Sequence, residues 1–337
     1  MFTQKKIPLQ INKILVVHIG RIGDLILAMP LFEVLKSNYP QAKIHILASV
    51  KNYTVAENNP FIDKVHLHKK GFHILHTLLK LRNEKFDLWI DPKAHRSSES
   101  QWLAKLNNAK FKIGFHPENK IFDYALASEQ TNPEMHMIHM NLKSLEPLGI
   151  KITDKILPKL FITKENINKF DIFCNTNNIK DFYCVNLSGS AKEREWENEK
   201  WIEFLKTIQK DISSIILISS PEKSQEARTI AEKVEKCVYY STSSINEIYP
   251  TIKNTQMVIS PDTSIVHLAS AYNRPVLGLY GYASFRFSPL SDLQEVVTVE
   301  ENEHTIKEIS IDNMLKSYNR LKRKIENQTK NSNVFQK

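Results

Sequence analysis

Cysteine is scarce in this chain. Cys174, Cys184 and Cys237 are the only three among 337 residues. They are odd in number and lack metal-ligand spacing, which excludes a disulfide framework and a cysteine-built zinc site. The chain therefore suits a reducing compartment, and each cysteine reads as a small core residue rather than a nucleophile. Glycine is also sparse, at eight residues. The turn after the first strand holds only Gly20 and Gly23, so the three-glycine dinucleotide fingerprint is missing and nicotinamide binding is disfavoured. No window approaches the ~20 apolar residues of a membrane span. The opening segment MFTQKKIPLQIN has no apolar stretch of signal-peptide length, which predicts a cytoplasmic protein. There is no Asp-x-Asp element to hold a divalent ion on a diphosphate and no G-x-S-x-G nucleophile elbow. His66 and His68 alternate along a strand, and His136 and His139 lie three apart on a helix. Neither pair has an evident carboxylate or cysteine partner, so both read as surface residues and no metal site is expected.

What is present is ordinary globular material, 42% hydrophobic and 25% charged, with a net charge of +9. That length predicts two domains. The positive balance favours anionic partners, although dispersed lysine on solvated surfaces accounts for much of it. No nucleic-acid module is recognisable.

Strand and helix signals alternate along the chain. KILVVHI over 13–19 reads as a strand buried on both faces. A helical stretch then runs to Tyr39, in which Pro30 should kink the helix or open its second part. Strands follow at 42–49, near KVHLH, at FDLWID and at 112–116, with helices around 73–82, 98–106 and 136–147. Gly149 is a C-terminal stop. The asparagine-rich stretch 164–180 is the boundary candidate. The alternation restarts with FYCVNL, SIILIS, CVYYS, QMVIS and PVLGLYG as strands and helices between them. A last helix covers 311–326, and the tail after it reads as disordered. The pattern predicts parallel sheets wrapped by helices, with ligands at the C-terminal strand ends and a cleft between domains as the default site.

Three segments could carry chemistry. IGRIGDLILAMP, 19–30, leaves a strand and opens a helix, where free N–H groups favour anions. Its Asp24 is placed to act as a general base or simply to cap the helix. NLSGSAKEREWENEKW, 186–201, offers a tight turn at Gly189 and the cations Lys192 and Arg194, a set that suits phosphate oxygens or merely a solvated loop. SPDTSIVHLASAYNRPVLGLYG, 260–281, turns at Asp262-Thr263-Ser264 into a small-residue helix. Its first amides could hold a diphosphate, and His267 lies one turn in.

In this order and spacing the three segments resemble the ADP-heptose:lipopolysaccharide heptosyltransferases, glycosyltransferase family 9, with the layout matching from about residue 13 to 325. The resemblance implies an α/β fold of GT-B type, two Rossmann-like doubly wound domains facing across a cleft. An acceptor domain would cover 1–165 and a nucleotide-sugar domain 166–310. A C-terminal helix over 311–327 would pack back across them, followed by a disordered tail, 328–337. It implies an inverting transferase that moves heptose from ADP-heptose to a lipid-linked Kdo or heptose core acceptor without a cofactor or a required metal. Asp24 would be the base. Lys192 or Arg194, Asp262, Thr263, Ser264 and His267 would bind the donor, and Glu222 or Glu226 would lie near its nucleoside. Ser264 stands where the family has glycine, which puts donor binding in question if an open approach or a positive φ is needed. Lys69, Lys70, Lys80, Arg82, Lys105 and Lys110 are available for peripheral contact with the inner membrane. The competing readings are a family member using another sugar or acceptor, and a degenerate nucleotide-sugar-binding protein.

Overall fold

The computed structural model describes residues 6–69, 71, 73–127, 134–152, 156–282, 285–299 and 305–334. Lys70 and residues 335–337 lie outside them. The chain forms two compact units. Unit 1 comprises 1–161 together with 285–288, and unit 2 comprises 162–284 and 289–337.

Unit 1 holds six parallel strands, β1 (Lys13–His18), β2 (Lys43–Ser49), β3 (Lys64–His68), β4 (Leu88–Ile90), β5 (Phe111–Phe115) and β6 (Tyr124–Leu126), in the order β3-β2-β1-β4-β5-β6. Its helices are α1 (Ile22–Asn38), α2 (Tyr53–Ala56), α3 (His73–Asn83), α4 (Ser98–Leu106) and α5 (Met137–Lys143). β1 is apolar on both faces because helices cover both, and Ile14 through Val17 are fully buried. Leu78 and Leu81 of α3 and Leu103 and Ala104 of α4 pack on one side of the sheet against Leu15, Val17 and Trp89.

Unit 2 repeats the plan. Its strands are β7 (Phe182–Asn186), β8 (Ser214–Ile218), β9 (Cys237–Tyr239), β10 (Met257–Pro261), β11 (Val276–Tyr280) and β12 (Gln294–Thr298). They run in the order β12-β11-β10-β7-β8-β9, again all parallel. Numbered from its own first strand, each sheet reads 3-2-1-4-5-6, the doubly wound order. Helices α6 (Lys164–Thr176), α7 (Asn198–Ile208), α8 (Ser224–Glu232), α9 (Tyr249–Asn254), α10 (Ser264–Ala271) and α11 (Ile311–Val334) complete the unit. α11 buries Met314, Tyr318 and Leu321 in the same cluster as Trp201 and Phe204 of α7. The Tyr318 hydroxyl donates to Asp211 Oδ2 at 2.9 Å.

Four local expectations need correction. Pro30 does not open a second helix but lies inside α1. Every residue from Leu25 to Phe32 is buried there, and that burial outweighs the missing backbone bond. The polar stretch 164–180, the boundary candidate, is largely α6, and the two units divide just before it, at 161/162. Thr163 caps it by accepting from Asn166 N at 3.2 Å, and Phe170 packs on Phe182 and Tyr240. Residues 328–334, read as a disordered tail, continue α11, since no proline or glycine interrupts 311–334. His66 and His136 are buried, not surface residues. All three cysteines are free; Cys184 and Cys237 are buried core residues as expected, whereas Cys174 is half-buried, and burial pushes the Cys237 thiol up to about 12 and Cys174 up to about 11.

The N-terminal edge of the first sheet is latched by aspartates standing just before strands. Asp63 accepts from Ile44 N at 2.8 Å, Asp87 from Asn12 N at 2.8 Å and Lys13 N at 3.0 Å, and Asp123 from Lys112 N at 2.9 Å. Each ties a neighbouring strand's first amides, which the ladder leaves unpaired. Burial pushes the Asp87 carboxyl up, but Lys110 at 2.7 Å and the two amides outweigh it and hold it below its ordinary value. A depressed carboxyl stabilises the fold above its unfolded value and ceases to do so as pH falls through the folded one. Asp87→Ala should therefore cost about 2 kcal/mol in urea unfolding at pH 7, with a smaller difference from wild type near pH 3. An equal cost at both pH values would contradict the latch.

Candidate functional site

In each sheet the strand order reverses once, between β1 and β4 in unit 1 and between β7 and β10 in unit 2. Connections leave those two strands in opposite directions, so a crevice opens at their C-terminal ends. The predicted residues fall at these two places.

In unit 1, Arg21 is the N-cap of α1, with extended φ, ψ of −82° and 160°, and Asp24 lies in the first turn. The turn between β1 and α1 is tied down from β2 and the segment after it. Asn52 Nδ2 donates to His18 O at 2.9 Å and Ser49 Oγ to Gly20 O at 3.1 Å. A cavity of about 320 Å³ opens there, lined among others by His18, Arg21, Asp24, Lys93, His95 and Arg286. Asp24 is its one carboxylate among the described residues. Arg286 arrives from far along the chain. His136 caps α5 by accepting from Ile138 N at Nδ1, and its Nε2–H donates to Ser288 O at 3.0 Å, while Met137 N donates to Arg286 O at 2.9 Å. Burial pushes His136 down to about 4, so this clasp is a neutral imidazole.

Lys93, His95, His18 and Arg286 were not among the residues expected from sequence. Lys93 follows β4 and is 6% exposed, its Nζ donating to Ile19 O. Burial pushes its ammonium below the ordinary value against the pull of Asp91, Asp24 and Glu99. Burial likewise pushes Asp91 up, opposed by the Ser100 hydroxyl and by Lys93. His18 is held well below its ordinary value, by burial first and then by the charges of Lys93 and His95.

In unit 2, Asn186 at the end of β7 was also missed. Its Nδ2 contacts Ser188 O at 3.0 Å, Ser260 Oγ at 3.0 Å and Thr263 Oγ1 at 3.2 Å, which joins the two strand ends. The loop after β7 folds back on itself. A Cβ on Gly189 would lie 2.0 Å from Arg194 O, so no other residue fits without moving the loop. Arg194 Nη1 meets Asp262 Oδ2 at 2.8 Å and Asp262 O at 3.2 Å, which brings the second and third motifs together. Lys192 is exposed and has no carboxylate partner among the described residues. Thr263 caps α10 by accepting from Ile265 N at 3.3 Å, while the amides of Thr263 and Ser264 take no partner among the described residues. Ser264 opens α10 with a negative φ, so a side chain there carries no backbone strain. His267 is buried in the same helix. Glu222 is exposed in the turn before α8. Glu226 pairs with Lys223 at 3.1 Å, and Lys223 also reaches Glu195 at 3.0 Å.

The histidines of β3 do have carboxylate partners, contrary to the sequence reading. His68 Nε2 lies 2.8 Å from Glu99 and His66 Nε2 3.9 Å from Glu84. His45, His66 and Glu84 form the one group of metal-ligand type among the described residues. Glu84 already takes Lys64 at 2.5 Å and Lys13 at 3.0 Å, which hold it down to about 2. Two ammonium groups on that carboxylate oppose a dication, and the group reads as a partly exposed ion-pair network.

The family model described as glycosyltransferase family 9 (heptosyltransferase) matches residues 75–318. A model of a family of unknown function matches residues 3–143. A lipopolysaccharide core heptosyltransferase of Haemophilus influenzae is 25% identical over 310 residues, 85% of this chain and 84% of its own length. Lipopolysaccharide heptosyltransferase 3 of Escherichia coli is 24% identical over 283 residues, 77% and 79% of the two chains. Among solved structures, a family 9 glycosyltransferase of Veillonella parvula superposes with a TM-score of 0.78 at 19% identity, covering 93% of this chain and 98% of that one. The ADP-heptose lipopolysaccharide heptosyltransferase II of E. coli gives 0.76 at 16%, covering 93% and 99%. The fold is of GT-B type, and the chain belongs to glycosyltransferase family 9, the heptosyltransferase family.

Proposed function

We propose that the protein transfers heptose from ADP-heptose to the inner core of a lipopolysaccharide or lipooligosaccharide, with the domain over 1–165 receiving the acceptor and that over 166–310 the donor. The observation that carries this reading is the pairing of two unlike crevices. One holds a single carboxylate among Arg21, Lys93 and Arg286, which suits an anionic acceptor beside a base. The other offers two unpartnered amides at a helix N-terminus beside Lys192 and Arg194, which suits a diphosphate. Asp24 takes the proton of the acceptor hydroxyl as its oxygen bonds to the anomeric carbon. The bond from that carbon to the phosphate oxygen breaks, ADP leaves with the electron pair, and the configuration inverts. The Thr263 and Ser264 amides, His267 and Lys192 offset the charge that grows on the diphosphate.

The two loop cations divide the work. Lys192 is free to meet a phosphate, while Arg194 holds the Asp262 turn in shape. Membrane contact at the cytoplasmic face falls on α3 and α4, where Leu75, Leu79, Trp102 and Leu106 are exposed beside Lys80, Arg82 and Lys105. Lys110 is occupied by Asp87 and is not counted there. No helix among the described residues is long and apolar enough to cross a membrane.

Asp24→Asn should lower transfer from ADP-heptose to Kdo-bearing lipid A about 10³-fold while leaving ADP binding intact, and full activity would rule out the base. Lys192→Ala should weaken ADP about tenfold in calorimetric titration with an unchanged melting temperature, whereas Arg194→Ala should lower both. Identical behaviour of the two variants would remove the division of roles. For the surface, Leu75→Glu with Leu79→Glu should abolish cosedimentation with phosphatidylglycerol vesicles. Retention equal to wild type would exclude α3 as the contact.

A further inference from the structure

Lys93 lines the acceptor-side cavity yet has no task in the reaction as described so far. Three observations fix where its ammonium stands. It follows β4, the second of the two strands that frame the crevice, and it is buried. One N–H is spent on the carbonyl of Ile19, which holds Nζ against the turn that carries Asp24. Gly20 supplies the third. The point where a side chain would begin on that residue lies 3.4 Å from Lys93 Nζ and 3.7 Å from Asp24 Oδ2. The ammonium and the carboxylate therefore converge over the bare face of one glycine. They form no ion pair with each other among the described contacts, so the space beside Gly20 is open to an oxygen that meets both.

The neighbouring groups leave this cation to the cavity. Asp91 is engaged by the Ser100 hydroxyl and the Lys93 backbone amide, and Glu99 faces His68. Arg21, His18, His95 and Arg286 line the cavity as well, but Lys93 is the cation found beside Asp24 Oδ2 over Gly20.

We propose that Lys93 is a catalytic residue that donates a hydrogen bond to the attacking acceptor oxygen while Asp24 removes that oxygen's proton. This rests on the reading of Asp24 as the acceptor base. The proton passes to the carboxylate, the oxygen bonds to the anomeric carbon, and ADP departs with the electron pair of the broken bond. Lys93 keeps its proton throughout and stabilises the partial negative charge that the oxygen carries between losing one bond and completing the other. Burial makes this donor stronger than it would be in water, because the local dielectric is low and the ammonium needs no reorganisation.

The test uses the full-length protein with ADP-heptose as donor and Kdo-bearing lipid A as acceptor. Lys93→Met should lower kcat about 10²-fold with little change in the donor KM. Asp91, Glu99, Arg21, Arg286, His18 and His95 also face Lys93, and all are retained in the variant. Lys93→Gln, which keeps a donor of similar length, should recover part of the rate. Lys93→Ala should be rescued saturably by ethylammonium and not by ethanol. Wild-type kcat in Lys93→Met, or a rate loss without amine rescue and matched by an equal fall in melting temperature in Lys93→Gln, would overturn the proposal. Full activity in Lys93→Met beside an inactive Asp24→Asn sinks the Lys93 role alone. Full activity in Asp24→Asn, or no transfer by the wild type, sinks both.

Discussion

A parallel sheet wound in both directions from one strand must leave a gap where its connections part. That constraint places everything of chemical interest in this protein. In unit 1 the gap lies past β1 and β4, and in unit 2 past β7 and β10. The turns there are free to carry polar groups because no crossover lies on top of them. The opposite edge of the first sheet shows the contrast. There Asp63, Asp87 and Asp123 spend their charge on neighbouring strand amides and have none left for a ligand. One type of side chain serves packing at one end of the sheet and chemistry at the other, and the strand order decides which.

Two glycines complete the crevices in different ways. Gly189 is required on steric grounds, since the carbonyl of Arg194 occupies the place of its side chain. That close return sets the loop against Asp262, where Arg194 holds it through an ion pair. Gly20 is under no such pressure, for its neighbours stand at ordinary van der Waals distance. What its small size provides is room between two charges. A methyl group there would fit, and it would fill the space where Lys93 and Asp24 converge.

The sequence made the strands of the sheet centres legible because they are apolar on both faces, as in KILVVH and FYCVN. Edge strands such as β6 and β12 escaped, being short and partly polar. The sequence also singled out Asp24, Lys192, Arg194 and Asp262 as candidates, since each sits where a strand signal gives way to a turn. It did not locate Lys93 or Asn186, although both also end or follow strands. Their importance depends on β4 lying beside β1 and β10 beside β7, and adjacency across a sheet is absent from a single linear pattern. The histidine partners were hidden for the same reason: Glu84 and Glu99 reach β3 from other elements. Pro30 misled because the rule against interior proline assumes a helix that must stand on its own, whereas α1 is held from every side.

The chemistry explains why a base alone would serve this site poorly. A carboxylate is a far weaker base than the alkoxide it would have to generate, so the acceptor cannot be ionised before it attacks. Proton removal has to keep pace with formation of the new bond, and for that interval the oxygen carries part of a negative charge. A water-filled site would screen that charge at the cost of reordering solvent at each turnover. The buried Lys93 ammonium, anchored on the Ile19 carbonyl, is already in position to do so. Under the proposed reaction its placement has a counterpart in unit 2, where the amides at the start of α10 and the loop cations suit a leaving diphosphate. Charge appears at both ends of the bond exchange, and each doubly wound unit has built, at the one gap its strand order allows, a cationic crevice suited to receive it.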